Sequence, residues 1–125
     1  MATRSELEAQ IASLKEQIRQ YNEDIKELSD AKDYISKKHE KVTGVYNEMA
    51  PYDVTRDMQW LGNLCDDMSD KRDQTSGNMS AFMGKTSKFM GDIDIAIGKL
   101  KEKIGNCQEA INGLQAQLDA LDDEE

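Results

Sequence analysis

The chain reads as all-α, an elongated, coiled-coil-like antiparallel helical hairpin with the triplet Trp60-Leu61-Gly62 near its turn. Three observations predict it. Apolar residues recur at alternating steps of four and three on both sides of the chain's middle, the spacing of one helix face. The only proline, Pro51, stands between those runs, and proline stops a helix because it lacks the N–H donor and its ring clashes with the preceding turn. Hydrophobic residues make up 38% of the chain and charged residues 33%. That is too few apolar side chains for a thick globular core and enough for two helices sharing a narrow seam.

The first arm is expected over residues 3–49. Two candidate capping boxes overlap at its start, Thr3 with Glu6 and Ser5 with Glu8. In each, the hydroxyl can accept from a free backbone N–H while the glutamate reaches back to the cap. The seam then runs Leu7, Ile11, Leu14, Ile18, Tyr21, Ile25, Leu28, Ile35, Val42, Tyr46 and Met49. One line of this seven-residue repeat is apolar or aromatic from Leu7 to Met49, and the other is interrupted by Lys32 and His39. Such a repeat demands a facing helix along the whole arm. His39 has a functional reading as a pH switch or metal ligand. Its structural reading is a polar seam residue that fixes register or reaches to solvent. The chain has no second histidine, and metal sites need clustered ligands, so the structural reading is preferred.

Gly44 loosens the end of the first arm and Pro51 closes it, with Asp53 or Thr55 available to cap the next helical segment. Residues 58–68 carry Trp60, Leu61, Leu64, Cys65 and Met68 at helical spacing, and residues 70–78 are polar and rich in weak helix formers. A first arm of about 46 residues is roughly 69 Å long, and a second helix starting near 55 would overhang it. Residues 70–78 read either as a real break or as a weak stretch within one helix. Matching lengths favour the break, with the junction and tip over residues 50–78, the second arm over 79–121 and an acidic tail at 122–125. The second seam is Met79, Met83, Thr86, Met90, Ile93, Ile97, Leu100, Ile104, Cys107, Ile111, Leu114, Leu118 and Leu121. Phe82, Phe89 and Ala96 lie beside it and widen the apolar face. The methionines are read as fillers of an irregular core rather than as an adaptable docking patch.

One feature of the second arm goes beyond core packing. Gly77, Gly84, Gly91, Gly98 and Gly105 recur every seven residues on the flank opposite the phenylalanines. Each glycine inside a helix costs about 1 kcal/mol relative to alanine. Chance in an arm stabilised by its long seam is one reading. A smooth line along which a partner helix approaches closely, by the logic known from membrane helices, is the other.

Charge and composition narrow the function classes. The formal net charge of -9, from 25 acidic and 16 basic residues, repels phosphate backbones and argues against nucleic acid. No apolar run approaches the length of a membrane span. The opening residues pass straight into a charged amphipathic pattern with no apolar signal core. A cytoplasmic origin is expected, with any export by a route independent of a classical signal peptide. Cys65 and Cys107 are read as two reduced thiols, since a continuous helix would hold them on the order of 60 Å apart. There is no phosphate-binding glycine loop and no nucleophile–base set on a concave scaffold. The acidic pairs Asp66-Asp67 and Asp92/Asp94 lack the loop glycine and terminal glutamate of a calcium site. No cofactor, no metal and no enzymatic activity are expected.

With Trp60-Leu61-Gly62 near its turn, this small acidic hairpin resembles the Trp-x-Gly proteins of bacterial type VII secretion. Its length and the position of that triplet resemble still more the small α-helical proteins encoded beside LXG-domain toxins in Gram-positive bacteria. The resemblance implies binding to the helical N-terminal targeting domain of the toxin, with a second small helical protein as a further partner, and passage with the toxin to the secretion machine. It also implies partner-binding roles for Trp60 and Gly62, to which the glycine line Gly77, Gly84, Gly91, Gly98 and Gly105 is added. The family's C-terminal export signal, a tyrosine followed four residues later by an acid, is not matched, because the last tyrosine is Tyr52. The related phenylalanine signal also fails, since Phe89 is followed at that spacing by Ile93. That departure fits an accessory whose partner carries the signal. The competing expectation is a self-associating coiled-coil tether with no client, and a more distant one is a helical sensor built on His39.

Overall fold

A computed structural model describes residues 2–49 and 63–124. They form two helices, α1 (Arg4–Met49) and α2 (Asn63–Glu124), packed against each other as a hairpin, and no strand occurs among the described residues. α1 starts at a formed capping box. The Glu6 N–H donates to Thr3 Oγ1 at 3.2 Å, and the Thr3 N–H donates to Glu6 Oε2 at 3.3 Å. Of the two overlapping boxes it is this one that forms, and Ser5 lies inside the helix.

α2 differs from the expected second arm. Residues 70–78 do not precede it as a tip; they are helical and continuous with the rest of its 62 residues. Two contacts explain how this weakly helical stretch is held. The Thr75 hydroxyl donates to the Lys71 carbonyl at 2.9 Å, which keeps its polar group inside the helical turn. The Arg72 Nη2 donates to the Met49 carbonyl at 2.9 Å, one of the last carbonyls of α1, which have no acceptor role inside their own helix. A tertiary contact therefore outweighs low intrinsic propensity. Residues 63–78 of the expected junction therefore belong to α2, and residues 50–62 lie outside the described residues. Pro51, Trp60 and Gly62 lie outside the described residues.

The contacts divide the chain into two units, Met1–Ala31 with Ile93–Glu125, and Lys32–Asp92. In the first, Leu7, Ile11, Ile111 and Leu118 form a buried cluster, with Ala2, Leu14, Ile18, Leu114 and Leu121 packed against it. Its antiparallel register is marked by the Arg4–Asp122 ion pair, by the Cys107 thiol donating to Gln17 Oε1 at 3.6 Å, and by Lys103 Nζ lying 5.9 Å from the Tyr21 ring centroid. Cys107 is a buried free thiol. In the second unit the register is marked by different chemistry. Ser87 Oγ lies 3.2 Å from His39 Nε2, and Thr43 Oγ1 donates to Met83 Sδ at 3.2 Å.

The two units differ in how well they bury their seams. Among the described residues, the buried hydrophobic ones (Leu7, Ile11, Ile93, Cys107, Ile111 and Leu118) all belong to the first. Among the described residues of the second, none is fully buried. Apolar burial is the main stabilising term, at roughly 25 cal/mol per Å². The second unit is therefore the weaker of the two, judged by its own packing.

Candidate functional site

Most of the exposed large apolar side chains among the described residues lie in the second unit, with Ile95, 59% exposed, the one in the first. Tyr34 is 64% exposed, Phe82 42% and Phe89 54%, with Val45 and Met68 also exposed. Tyr34 stands on α1 beside the seam residue Ile35, and Phe82 and Phe89 stand one heptad apart on α2. The phenylalanines lie beside the seam and widen its apolar face, and the added face is exposed. They border an open groove of about 460 Å³ lined by Tyr34, Ile35, Lys38, Phe82, Lys85 and Phe89, with Thr86 between the two phenylalanines. Thr86 spends its hydroxyl within α2, donating to the Phe82 carbonyl at 3.0 Å.

Lysines rim this apolar surface. Lys38 Nζ lies 5.4 Å from the centroid of the Tyr34 ring, a separation at which an ammonium is attracted by the ring face. Tyr34 and Lys38 also line a neighbouring depression with Lys37, Glu40 and Lys41, so the basic rim continues along α1. A second, mainly apolar groove of the same unit holds Val45, Met49 and Met68 with Arg72 and Thr75.

His39 takes the structural role. Its Nδ1 lies 3.4 Å from Thr43 Oγ1 and its Nε2 3.2 Å from Ser87 Oγ. With the Thr43 proton given to Met83 Sδ, Thr43 Oγ1 accepts from Nδ1–H and the Ser87 hydroxyl donates to Nε2, so the Nδ1–H tautomer satisfies both ring nitrogens. The ring thus joins α1 to α2 within the seam, and Lys32 on the same line is half-buried. No group of three histidine, cysteine, aspartate or glutamate side chains gathers among the described residues.

The glycines sit apart from all of this. Gly77, Gly84 and Gly91 in the second unit, and Gly98 and Gly105 in the first, are exposed. A Cβ built at any of them meets nothing within 4 Å. None of them is there to let α1 approach α2. An exposed ion cluster on α1 joins Arg19 to Glu16 and Glu23. The hydrogen bond from Arg19 holds the Glu16 carboxyl below its ordinary range, and the same bond pushes the guanidinium upward. All three groups lie in solvent, where such pairs are screened and mark no site.

Sequence reasoning singled out Phe82 and Phe89 but passed over Tyr34, Lys38 and Lys85. The available signal was an aromatic off the seam line, next to a seam residue and four residues before a lysine. Trp60 and Gly62, the residues singled out by resemblance, lie outside the described residues.

A family model for the YwqH-like proteins matches residues 2–123. The chain belongs to the YwqH-like family. YwqH-like proteins are small helical proteins associated with LXG proteins, and the two-helix hairpin agrees with that description. Searches of curated proteins and of solved structures returned no match. No described helix is long and apolar enough to cross a membrane.

Proposed function

We propose that this YwqH-like protein is a non-enzymatic targeting partner and chaperone. In this reading it binds the helical N-terminal domain of a larger LXG toxin and supports export of that toxin by type VII secretion. The observation that carries the proposal is the match of nearly the whole chain to an LXG-associated family. The hairpin adds a physical reason. An amphipathic helix of a client needs an apolar surface to cover its stripe, and a pair of helices with an open groove offers one. The protein acts in the cytoplasm and accompanies its client toward the secretion machine, alone or with a second small helical protein. Partner contact is proposed for Trp60 and Gly62 by resemblance, and for the line from Gly77 to Gly105 by its seven-residue spacing, which would let a partner helix approach closely.

Co-expression tests this. The N-terminal domain of an LXG toxin encoded beside this gene should be recovered in soluble form together with the untagged hairpin, and the two should elute from a sizing column as one species. A domain that is equally soluble alone and elutes apart from the hairpin would refute the proposal. If the hairpin then eluted as its own oligomer, the exposed Tyr34, Phe82 and Phe89 would be explained by a self-associating tether instead.

A further inference from the structure

We infer that the groove bounded by Tyr34, Phe82 and Phe89 is a docking cleft for one amphipathic helix whose apolar stripe is flanked by aspartate and glutamate. Within the function proposed above, on which this assignment to a client rests, that helix belongs to the LXG domain.

Three features of the second unit carry the inference. Both phenylalanines of the chain line this groove, and the facing Tyr34 is more exposed still. Aromatic side chains are the residue class that most often anchors a partner from an open surface. The groove also runs between two packed helices, and the seat beside such a pair is filled by a third helix in bundle packing. Charge then selects the occupant. The chain as a whole has a net charge of -9. The residues lining this groove include Lys38 and Lys85 and no acid, and the adjoining depression adds Lys37 and Lys41 against Glu40 alone. A local basic rim on an acidic protein is complementary to acidic flanks on the partner and steers its approach.

Two other occupants fit less well. A second copy docked groove to groove is an isologous contact, which sets these lysines against their own equivalents. An anionic membrane would meet the basic rim but also the acidic remainder of the chain.

The test uses two fluorescent helical peptides of about three heptads, identical in their leucine and phenylalanine stripe. One carries glutamate at the flanking positions and the other lysine. The full-length protein should bind the glutamate peptide at least roughly tenfold more tightly than the lysine peptide. Phe82→Glu/Phe89→Glu should weaken that binding by roughly tenfold or more, and Lys38→Glu/Lys85→Glu should reverse the preference. Phe82, Lys85 and Phe89 are exposed, so both double variants should keep the helical circular dichroism and melting of the parent, which separates lost binding from lost folding.

The same variants are then titrated with the LXG domain. Peptide discrimination without any LXG binding leaves the cleft standing and sinks the proposed client. LXG binding that is indifferent to both variants, with no peptide discrimination, overturns the cleft and leaves the client reading intact. Loss of binding to phosphatidylglycerol vesicles, or of a dimer, on mutating Phe82 and Phe89 also overturns the helix assignment if the peptides are not distinguished.

Discussion

Leu7→Ala is expected to lower the stability of the isolated hairpin by about 3 kcal/mol, within the range for truncating a fully covered leucine. Leu7 is the most buried large side chain described, at 1% exposure, and packs in the cluster with Ile11, Ile111 and Leu118. Removing its terminal carbons loses the transfer energy of those atoms and leaves a void that two rigid helices collapse around only in part. Val42→Ala, on the same seam line but only half-buried in the second unit, should cost less than about 1.5 kcal/mol. Urea unfolding followed by circular dichroism checks both, provided the transition is analysed for more than two states. Equal losses at the two sites would contradict the division into a well-buried and a poorly buried unit.

The second large effect has the opposite sign. Replacing Gly77, Gly84 and Gly91 together by alanine should stabilise the protein by up to about 3 kcal/mol, from roughly 1 kcal/mol of helix propensity per site. The structure removes the usual obstacle, since a Cβ at each position meets nothing within 4 Å. No seam contact is lost, so the propensity gain is not offset. The informative companion is the affinity of the triple variant for the LXG domain. A client backbone lying close along these glycines would be held away by the three methyl groups and bind more weakly. Greater stability with undiminished affinity would remove the glycine line from the interaction surface. A drop in stability would contradict the exposed placement itself.

The seam was legible in the sequence because it depends on one periodicity. Each apolar position on the two lines, from Leu7 to Met49 and from Met79 to Leu121, is buried or half-buried in the structure. The helix start at Thr3 was legible for a similar reason, since a capping box is a local pattern. Residues 70–78 were not. Their propensity is weak, and what holds them includes a contact across the hairpin, Arg72 on the Met49 carbonyl, which no local pattern announces. The groove was hidden in the same way. Phe82 and Phe89 read as seam-flanking because they lie beside it in heptad position. Only the register set by His39 with Ser87 and Thr43 with Met83 shows that α1 leaves them uncovered and brings Tyr34 and Lys38 to the facing edge. The function rests on a different kind of signal. Trp60-Leu61-Gly62 pointed to Trp-x-Gly and LXG-associated proteins from a short motif, whereas membership of the YwqH-like family stands on a match over residues 2–123.

Amide hydrogen exchange, measured on the hairpin alone and on the hairpin with the purified N-terminal domain of an LXG protein, tests the central claim most directly. Free, the second unit should exchange faster than the first, because its seam holds no fully buried residue among those described. With the domain present, exchange should slow across residues 34–41 and 82–89, the segments that carry the aromatic groove and its lysines. Exchange profiles that coincide with and without the domain would contradict a client-binding hairpin.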